Sequence, residues 1–343
     1  MLTVLDFERP IHELEKKIQE LRSLSDDGNL NLQSEVKKLE GRLDDLKKET
    51  YANLSPWQRV QIARHPKRPY ALDYVRMLFT DFIELHGDRT YADDKALVGG
   101  FAKFDGTPLL VLGHQKGRDA KENIMRNFGS AHPEGYRKAL RLMKCAEKFR
   151  LPIVAFVDTP GAYPGIGAEE RGQAYTIAVN IRDMARLTVP IAVYVIGEGG
   201  SGGALGIGVG DHVAVLENAY YSVISPEGCA AILWKDRGRA PDAAAALRLT
   251  ARELLEMSLI DEVVREPLGG AHHDAEAAAA GIRQSLRKVL KDLEGSDGRA
   301  LVASRYAKFR KMGIFDNGAM PVLSKTRQAH DKRPRAKRVS SAQ

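Results

Sequence analysis

The chain has 343 residues, and its formal net charge of +7 is concentrated at one end. Residues 324–343 contain seven Lys or Arg and one Asp, which leaves a charge of only +1 for the rest. A nearly neutral body argues against a nucleic-acid-binding protein, because such proteins carry a basic patch or stripe on the folded domain.

The cysteine content and the apolar runs exclude further classes. Two cysteines, Cys145 and Cys229, are too few for a four-thiolate zinc site or a disulfide framework. No apolar run reaches the roughly 18–20 residues of a membrane span. Residues 1–6 lack the basic flank and apolar core of a signal peptide. We therefore expect a cytoplasmic protein.

The first 55 residues are predicted to form a helical hairpin. Apolar residues recur every three or four positions from Ile11 to Leu21 and again from Leu32 to Leu46. The polar segment 25–29 between the two stripes is typical of a turn. The two helices either pair only with each other or also bind a partner.

From residue 56 the pattern changes to alternating helices and strands. A helix is predicted at residues 73–85, followed by strands at 96–104, 109–113, 153–157, 191–196, 213–216 and 222–224. Further helices are predicted at residues 134–149, 172–187 and 250–257. Thr250 and Glu253 have the spacing of a capping box. This alternation predicts a mainly parallel sheet covered by helices.

A last amphipathic stretch is predicted at about residues 293–312, before the basic tail. The tail contains proline and few large apolar residues, so residues 315–343 are expected to be disordered. The predicted division is thus a hairpin (1–55), an α/β domain (56–314) and a tail (315–343).

Two loops rich in glycine and proline follow predicted strands. Eight of the fourteen residues from Gly197 to Gly210 are glycine, and residues 158–165 contain two prolines and two glycines. Such loops bring backbone N–H groups close to a ligand, and N–H groups aimed at one point stabilise a negative oxygen. The alternative interpretation is that both are tight turns needed only for packing.

Three other interpretations of the chain remain open at this point. Residues 197–202 match the dinucleotide pattern G-x-G-x-x-G, with Glu217 at the expected distance. Residues 199–203 match G-x-S-x-G, in which Ser201 would be a hydrolase nucleophile with His272 or His273 as its base. A third possibility is a scaffold whose hairpin and tail bind macromolecules.

The residues of these loops resemble a known family. The sequence closely resembles the alpha subunit of the carboxyltransferase component of bacterial acetyl-coenzyme A carboxylase. The matching stretches are residues 5–8, 64–66, 113–118, 126–129, 133–139, 158–165, 197–205, 222–230 and 266–272. The basic tail is not a usual feature of that family.

The resemblance implies a fold, a reaction and partners. The fold is α/β, the crotonase fold of repeated ββα units. The reaction transfers the carboxyl group of carboxybiotin, borne on the biotin carboxyl carrier protein, to acetyl-coenzyme A, giving malonyl-coenzyme A for fatty-acid synthesis. The partners are a beta subunit in an α2β2 assembly and biotin carboxylase, which uses ATP. Zinc is expected on the beta subunit, and this chain is expected to bind no metal. Neither a membrane nor a nucleic acid is expected as a partner.

The resemblance also implies the site residues. No protein nucleophile is required, so Ser201 becomes a small loop residue. The biotin ureido oxygen would be held in an oxyanion hole formed by Gly202, Gly203 and Ala204, with Gly161 in the facing loop. The predicted ligand-binding residues are Thr159, Pro160, Ala162, Tyr163, Gly199, Gly200, Lys116 and Arg118. For Lys116 and Arg118, a solvated surface loop is the alternative interpretation.

Overall fold

The chain begins with the helical hairpin, in a computed structural model that describes residues 4–25 and 30–313. Helices α1 (Arg9–Ser25) and α2 (Leu30–Ala52) follow a short 3₁₀ turn at Asp6–Glu8. Arg22 pairs with Glu40, and Lys47 Nζ lies 2.6 Å from Glu15 Oε1. The residue nearer the end of α1 pairs with the residue nearer the start of α2, so the two helices are antiparallel. The predicted hairpin is confirmed.

One mixed sheet forms the centre of the domain. Its eight strands in the described residues are β1 (Thr80–Glu84), β2 (Leu97–Phe104), β3 (Thr107–His114), β4 (Ile153–Thr159), β5 (Ile191–Gly200), β6 (His212–Leu216), β7 (Tyr220–Ser222) and β8 (Glu262–Val264). The order is β1-β2-β3-β4-β5-β6-β8, with β7 paired to β5. β1–β2 and β2–β3 are antiparallel and the other pairs are parallel, as the mainly parallel prediction requires.

Helices fill the connections between the strands and follow the last of them. They are α3 (Pro56–Ala63), α4 (Ala71–Leu78), α5 (Ala120–Met125), α6 (Pro133–Lys148), α7 (Ile166–Glu170), α8 (Gln173–Met184), α9 (Ser201–Leu205), α10 (Pro226–Trp234), α11 (Ala240–Leu247), α12 (Ala251–Glu256), α13 (Ala275–Leu293) and α14 (Gly298–Lys311). The predicted capping box is present at α12, where Thr250 Oγ1 accepts from the Glu253 N–H.

Two predicted elements differ from the structure. The helix expected at 73–85 ends at Leu78, because Phe79 is extended and buried and the next residues pair with β2 as strand β1. The strand expected at 222–224 is instead β7, which ends at Ser222. There the Ser222 hydroxyl donates to the Ile224 carbonyl and closes a turn that leaves Val223 exposed.

Of the two predicted domain boundaries, only the first lies within the described residues. The boundary after residue 55 lies where α3 begins, with Ser55 as its N-cap: Ser55 Oγ accepts from the Gln58 N–H and Gln58 Oε1 accepts from the Ser55 N–H. The boundary after residue 314 and the predicted disordered tail lie outside the described residues, as do positions 26–29 of the predicted hairpin turn.

The buried core positions the two loops. Every residue of β4 and β5 is buried, as expected for parallel strands covered on both faces. These neighbouring strands run in the same direction, and Thr159 pairs with Gly199 at their carboxyl ends. The proline–glycine loop and the glycine loop therefore start side by side. In the described part of the chain, none of the helices is both long and apolar enough to span a membrane.

Candidate active site at the carboxyl ends of two strands

The two loops touch through their backbones. A Cβ at Gly200 would lie 2.3 Å from the Pro160 carbonyl oxygen, and a Cβ at Gly203 would lie 2.4 Å from the Ala162 nitrogen. Backbone atoms cannot move aside as the end of a flexible side chain can, so both positions require glycine. The glycines therefore join the loops into one crevice wall.

A tight turn connects β5 to α9. Ser201 has a left-handed φ of +52°, which is uncommon for a residue with a side chain. In a helix that begins at Ser201, the N–H groups of Ser201, Gly202 and Gly203 precede the first intrahelical bond, whereas Ala204 is the first to reach a carbonyl four residues back. Gly202 is half-buried, and a Cβ there would meet only Ile177, at 3.8 Å. Gly202 and Gly203 thus remain candidate donors and Ala204 does not.

The facing loop is held by Thr159. The Gly161 N–H donates to Thr159 Oγ1 at 3.1 Å, and the Thr159 hydroxyl donates to the Gly161 carbonyl at 2.8 Å. Gly161 has a φ of +151°, which favours glycine, and open space on its Cβ side. This corrects the expectation of a free Gly161 amide, because that donor is already used within the loop.

The other residues predicted in this loop have structural contacts. Tyr163 stacks on His132 with ring centroids 4.1 Å apart, and its N–H donates to the Ala131 carbonyl at 3.0 Å. Ala162 is half-buried beside Gly203, and Pro160 is exposed at the loop tip. These contacts fix the shape of the crevice wall.

An apolar pocket of about 390 Å³ opens beside this turn. It is lined by Ser201, Gly202, Leu205, Gly208, Val213, Tyr221, Ser222, Val223, Leu254, Leu259, Phe309 and Met312. Gly199 lies near the end of β5 and packs against Tyr221, one of the residues that line the pocket. A Cβ at Gly199 would lie 2.8 Å from Tyr221 Cδ2, so this position has no space for a side chain. The pocket therefore offers apolar surface next to the Gly202 amide.

Lys116 is paired inside the protein. Its Nζ lies 2.6 Å from Asp158 Oδ1 and 2.9 Å from Glu198 Oε1, and all three side chains are largely buried. Burial alone would lower the pKa of Lys116, but Asp158 and Glu198 outweigh it and raise that pKa. Burial alone would raise the pKa of Glu198, but Lys116 and Arg64 bring it down to about 2. The Lys116 charge is thus balanced internally, which corrects the expectation of a lysine free to bind an anion.

Three residues that the sequence did not single out extend this charged group. Arg64 Nε lies 2.7 Å from Glu198 Oε2, and the Tyr220 hydroxyl donates to the same oxygen at 2.6 Å. Arg64 also pairs with Glu227 at 2.5 Å. The sequence held no clear signal for this group, because Glu198 follows the strand predicted at 191–196, and only the structure shows it buried inside β5, where its charge requires partners.

Arg118 is also engaged by the protein. Its guanidinium pairs with Asp73, donates to the carbonyls of Pro66 and Arg68, and lies 4.0 Å above the Tyr70 ring. Arg118 therefore stabilises the connection between α3 and α4. Its guanidinium is already paired within the protein and is not free to bind a ligand.

The hydrolase interpretation lacks a base. The described residues that line the pocket at Ser201 include no histidine. His272 and His273 instead lie near Glu8, and they line a different cavity. Ser201 is therefore not part of a nucleophile–base pair.

Comparison with known families decides between the remaining interpretations. The sequence model of the family described as "acetyl co-enzyme A carboxylase carboxyltransferase-like" matches residues 4–313. The chain belongs to this family. The dinucleotide-binding and scaffold interpretations are thereby set aside, and the chain is a transferase.

Curated relatives extend the match over nearly all of the chain. It is 60% identical over 311 residues to the acetyl-coenzyme A carboxylase carboxyl transferase subunit alpha of Geobacter metallireducens, covering 91% of this chain and 98% of that protein. The same subunit of Thermus thermophilus is 56% identical over 311 residues, with the same coverage. The predicted resemblance is confirmed, and the chain is one subunit of a multi-subunit carboxyltransferase.

Solved structures support the fold. A transcarboxylase 12S structure matches with a TM-score of 0.53 and 20% identity, covering 65% of this chain and 41% of that one. A Pseudomonas malonate decarboxylase heterodimer matches with a TM-score of 0.52 and 19% identity, covering 64% of this chain and 91% of that one. The predicted crotonase-like α/β fold is confirmed.

Proposed function

We propose that the chain forms the biotin-binding half of a carboxyltransferase active site that converts acetyl-coenzyme A to malonyl-coenzyme A. Family membership supports this reaction, and the two adjoining loops support the place where it occurs. We propose a cytoplasmic α2β2 assembly with a beta subunit, supplied by a biotin carboxyl carrier protein and an ATP-dependent biotin carboxylase.

The crevice fits a flat, uncharged ring with a polar edge. The pocket beside Gly202 is lined mainly by apolar side chains, among them Tyr221, Leu254 and Phe309. Gly202 adds no side chain that would block its own N–H group. An apolar wall beside exposed N–H groups is suited to a ring that carries one carbonyl oxygen.

When bound, carboxybiotin supplies the carboxyl group, and negative charge develops on its ureido oxygen as that group leaves. The N–H groups of Gly202 and Gly203 would donate to this oxygen. Once the beta subunit covers the exposed rim, the apolar lining would exclude water, so each donor would stabilise the charge more than it would in solvent. The Tyr136 hydroxyl donates to the Gly203 carbonyl at 3.2 Å and holds the turn in place.

The remaining parts of the reaction belong to partners. This chain has only two cysteines, so a four-cysteine zinc ribbon would have to come from the beta subunit. Val223 and Leu205 line the pocket and are partly exposed, at 78% and 38%. Exposed apolar side chains at the rim would be covered when the beta subunit completes the site.

The Gly202 amide is tested by a matched pair of variants. Gly202→Pro removes the N–H, whereas Gly202→Ala keeps it and adds a Cβ that only reaches ordinary contact with Ile177. With the beta subunit and carboxylated carrier protein, we expect Gly202→Pro to lower kcat for malonyl-coenzyme A formation about 100- to 1000-fold. Gly202→Ala should keep most of the activity.

The control is assembly. Both variants should co-purify with the beta subunit, and kcat is compared per folded, assembled enzyme, because proline also restricts Ser201, whose φ is +52°. Equal kcat values for the two variants would contradict the assignment of this amide.

A further inference from the structure

A second cluster of polar side chains lies where the hairpin meets the loop before α13. Glu8 ends the 3₁₀ turn ahead of α1, and His272 and His273 lie between β8 and α13. They line a cavity of about 270 Å³ together with Tyr51 and His12. The proposed carboxyl transfer makes no use of this cluster.

The spacing of the three side chains is the first observation. His272 Nε2 lies 3.7 Å and His273 Nε2 lies 4.0 Å from Glu8 Oε1. These distances are too long for hydrogen bonds. Two ligands of a tetrahedral zinc, each about 2.0–2.1 Å from the ion, lie about 3.3–3.5 Å apart. The ligand atoms of all three side chains lie within 4.8 Å of one another, so movements of up to about an ångström would bring them to the spacing of ligands on one ion.

The second observation is an unsatisfied buried imidazole. The His272 side chain is only 3% exposed, and neither ring nitrogen has a hydrogen-bond partner in the described protein. Buried polar atoms without a partner are rare and call for an explanation, such as a bound ion. A cation bound at Nε2 would supply one.

The third observation is the orientation of the carboxylate. The Tyr51 hydroxyl donates to Glu8 Oε1 at 2.7 Å, and the Leu5 N–H donates to Glu8 Oε2 at 3.3 Å. These bonds hold Oε1 within 4.0 Å of both imidazoles. Carboxylate oxygens and imidazole nitrogens are both zinc ligands.

We propose that Glu8, His272 and His273 bind one Zn²⁺, which fastens the N-terminal hairpin to the carboxyltransferase domain. Two imidazoles and a carboxylate form a donor set that zinc accepts. In residues 4–25 and 30–313, this is the one group of three such side chains close enough to share an ion. The proposal differs from the sequence-based expectation of no metal in this chain.

The test uses the untagged full-length chain, stripped of metal with a chelator and then titrated with zinc chloride against a chromophoric zinc indicator. His273→Ala removes a ligand whose ring is 46% exposed, and Glu8→Gln keeps an acceptor for Tyr51 while removing the charge. The matched control is His12→Ala, because His12 lines the same cavity but does not belong to the group of three side chains close enough to share an ion.

We expect one zinc per chain in the wild type and in His12→Ala, with affinity at least tenfold weaker in His273→Ala and in Glu8→Gln. We also expect zinc to slow hydrogen exchange of the α1 amides in the wild type and not in His273→Ala. Zinc binding that is equal in the wild type and in both ligand variants, or no binding by the wild type, would overturn the proposal. Unchanged exchange in α1 would overturn the fastening role.

Discussion

The two ends of strand β5 are built in different ways. At its amino end, the Ile191 N–H donates to Asp211, and Arg305 pairs with the same carboxylate at 2.7 Å. Arg305 is fully buried, and it also donates to the carbonyls of Met184, Leu187 and Val189. At the carboxyl end, Gly199 and Gly200 are buried and lead directly into the turn where the half-buried Gly202 lies beside the apolar pocket. Long side chains fasten one end so that main chain can be presented at the other.

The largest effect is expected at the amino end. Arg305→Met removes a buried charge and leaves Asp211 without its main partner, so we expect the free energy of unfolding to fall by about 3–5 kcal/mol. Chemical denaturation measures this change. Specific activity of the folded protein should be kept, since Arg305 does not line the crevice.

Lys308 provides the control for Arg305. It lies on the same helix and also contacts the Asp211 carbonyl, but its side chain is 20% exposed. Lys308→Ala should therefore cost much less than Arg305→Met. A similar loss in both variants would mean that burial does not distinguish the two contacts.

At the carboxyl end, Lys116 separates a structural role from ligand binding. Lys116→Met leaves Asp158 and Glu198 buried without their shared cation, so we expect a loss near the lower end of about 3–5 kcal/mol. Denaturation and steady-state kinetics should be measured on the same preparations. Unchanged stability with a raised KM would instead support the original prediction that Lys116 binds a ligand.

A smaller effect is expected from His114, at the end of β3. Burial and, to a lesser extent, the charge of Lys116 lower the pKa of His114 to about 3. The unfolded chain gains this proton below about pH 6.5 and the folded chain does not, so stability is complete above pH 6.5 and falls as the pH is lowered toward 3. From pH 6.5 to 5 the loss is about 1.5 kcal/mol for one such group.

His114→Phe tests this linkage, because phenylalanine keeps a ring against Tyr136 and does not titrate. Unfolding midpoints of the wild type and the variant should be compared at pH 6.5 and pH 5. The variant should lose less stability than the wild type over this interval. Parallel losses would show that His114 is not the group responsible.

Local patterns predicted the elements that depend on neighbouring residues. The three- and four-residue apolar spacing gave the hairpin, and glycine and proline after apolar strands gave both loops of the candidate site. The helix predicted for residues 79–84 is wrong, because the apolar residues of this segment fit a helix as well as an edge strand. Pairing with β2, which lies later in the chain, decides between them.

Contacts between distant residues were beyond local patterns. Lys116 is 42 and 82 residues from its partners Asp158 and Glu198, so a lysine after a strand had no visible counterion in the sequence. The Gly161 amide was predicted to be free because the sequence does not show which acceptor a backbone N–H group has. Its bond to Thr159 depends on the exact path of the loop.

The closeness of the two loops has a consequence for inhibitor resistance. An inhibitor that accepts hydrogen bonds from main-chain N–H groups relies on atoms that every amino acid except proline retains. At Gly200 and Gly203 any larger residue would collide with the backbone of the opposing loop. That collision would push the two loops apart and change the shape of the crevice. Escape by point mutation at these positions would thus damage catalysis as well as drug binding.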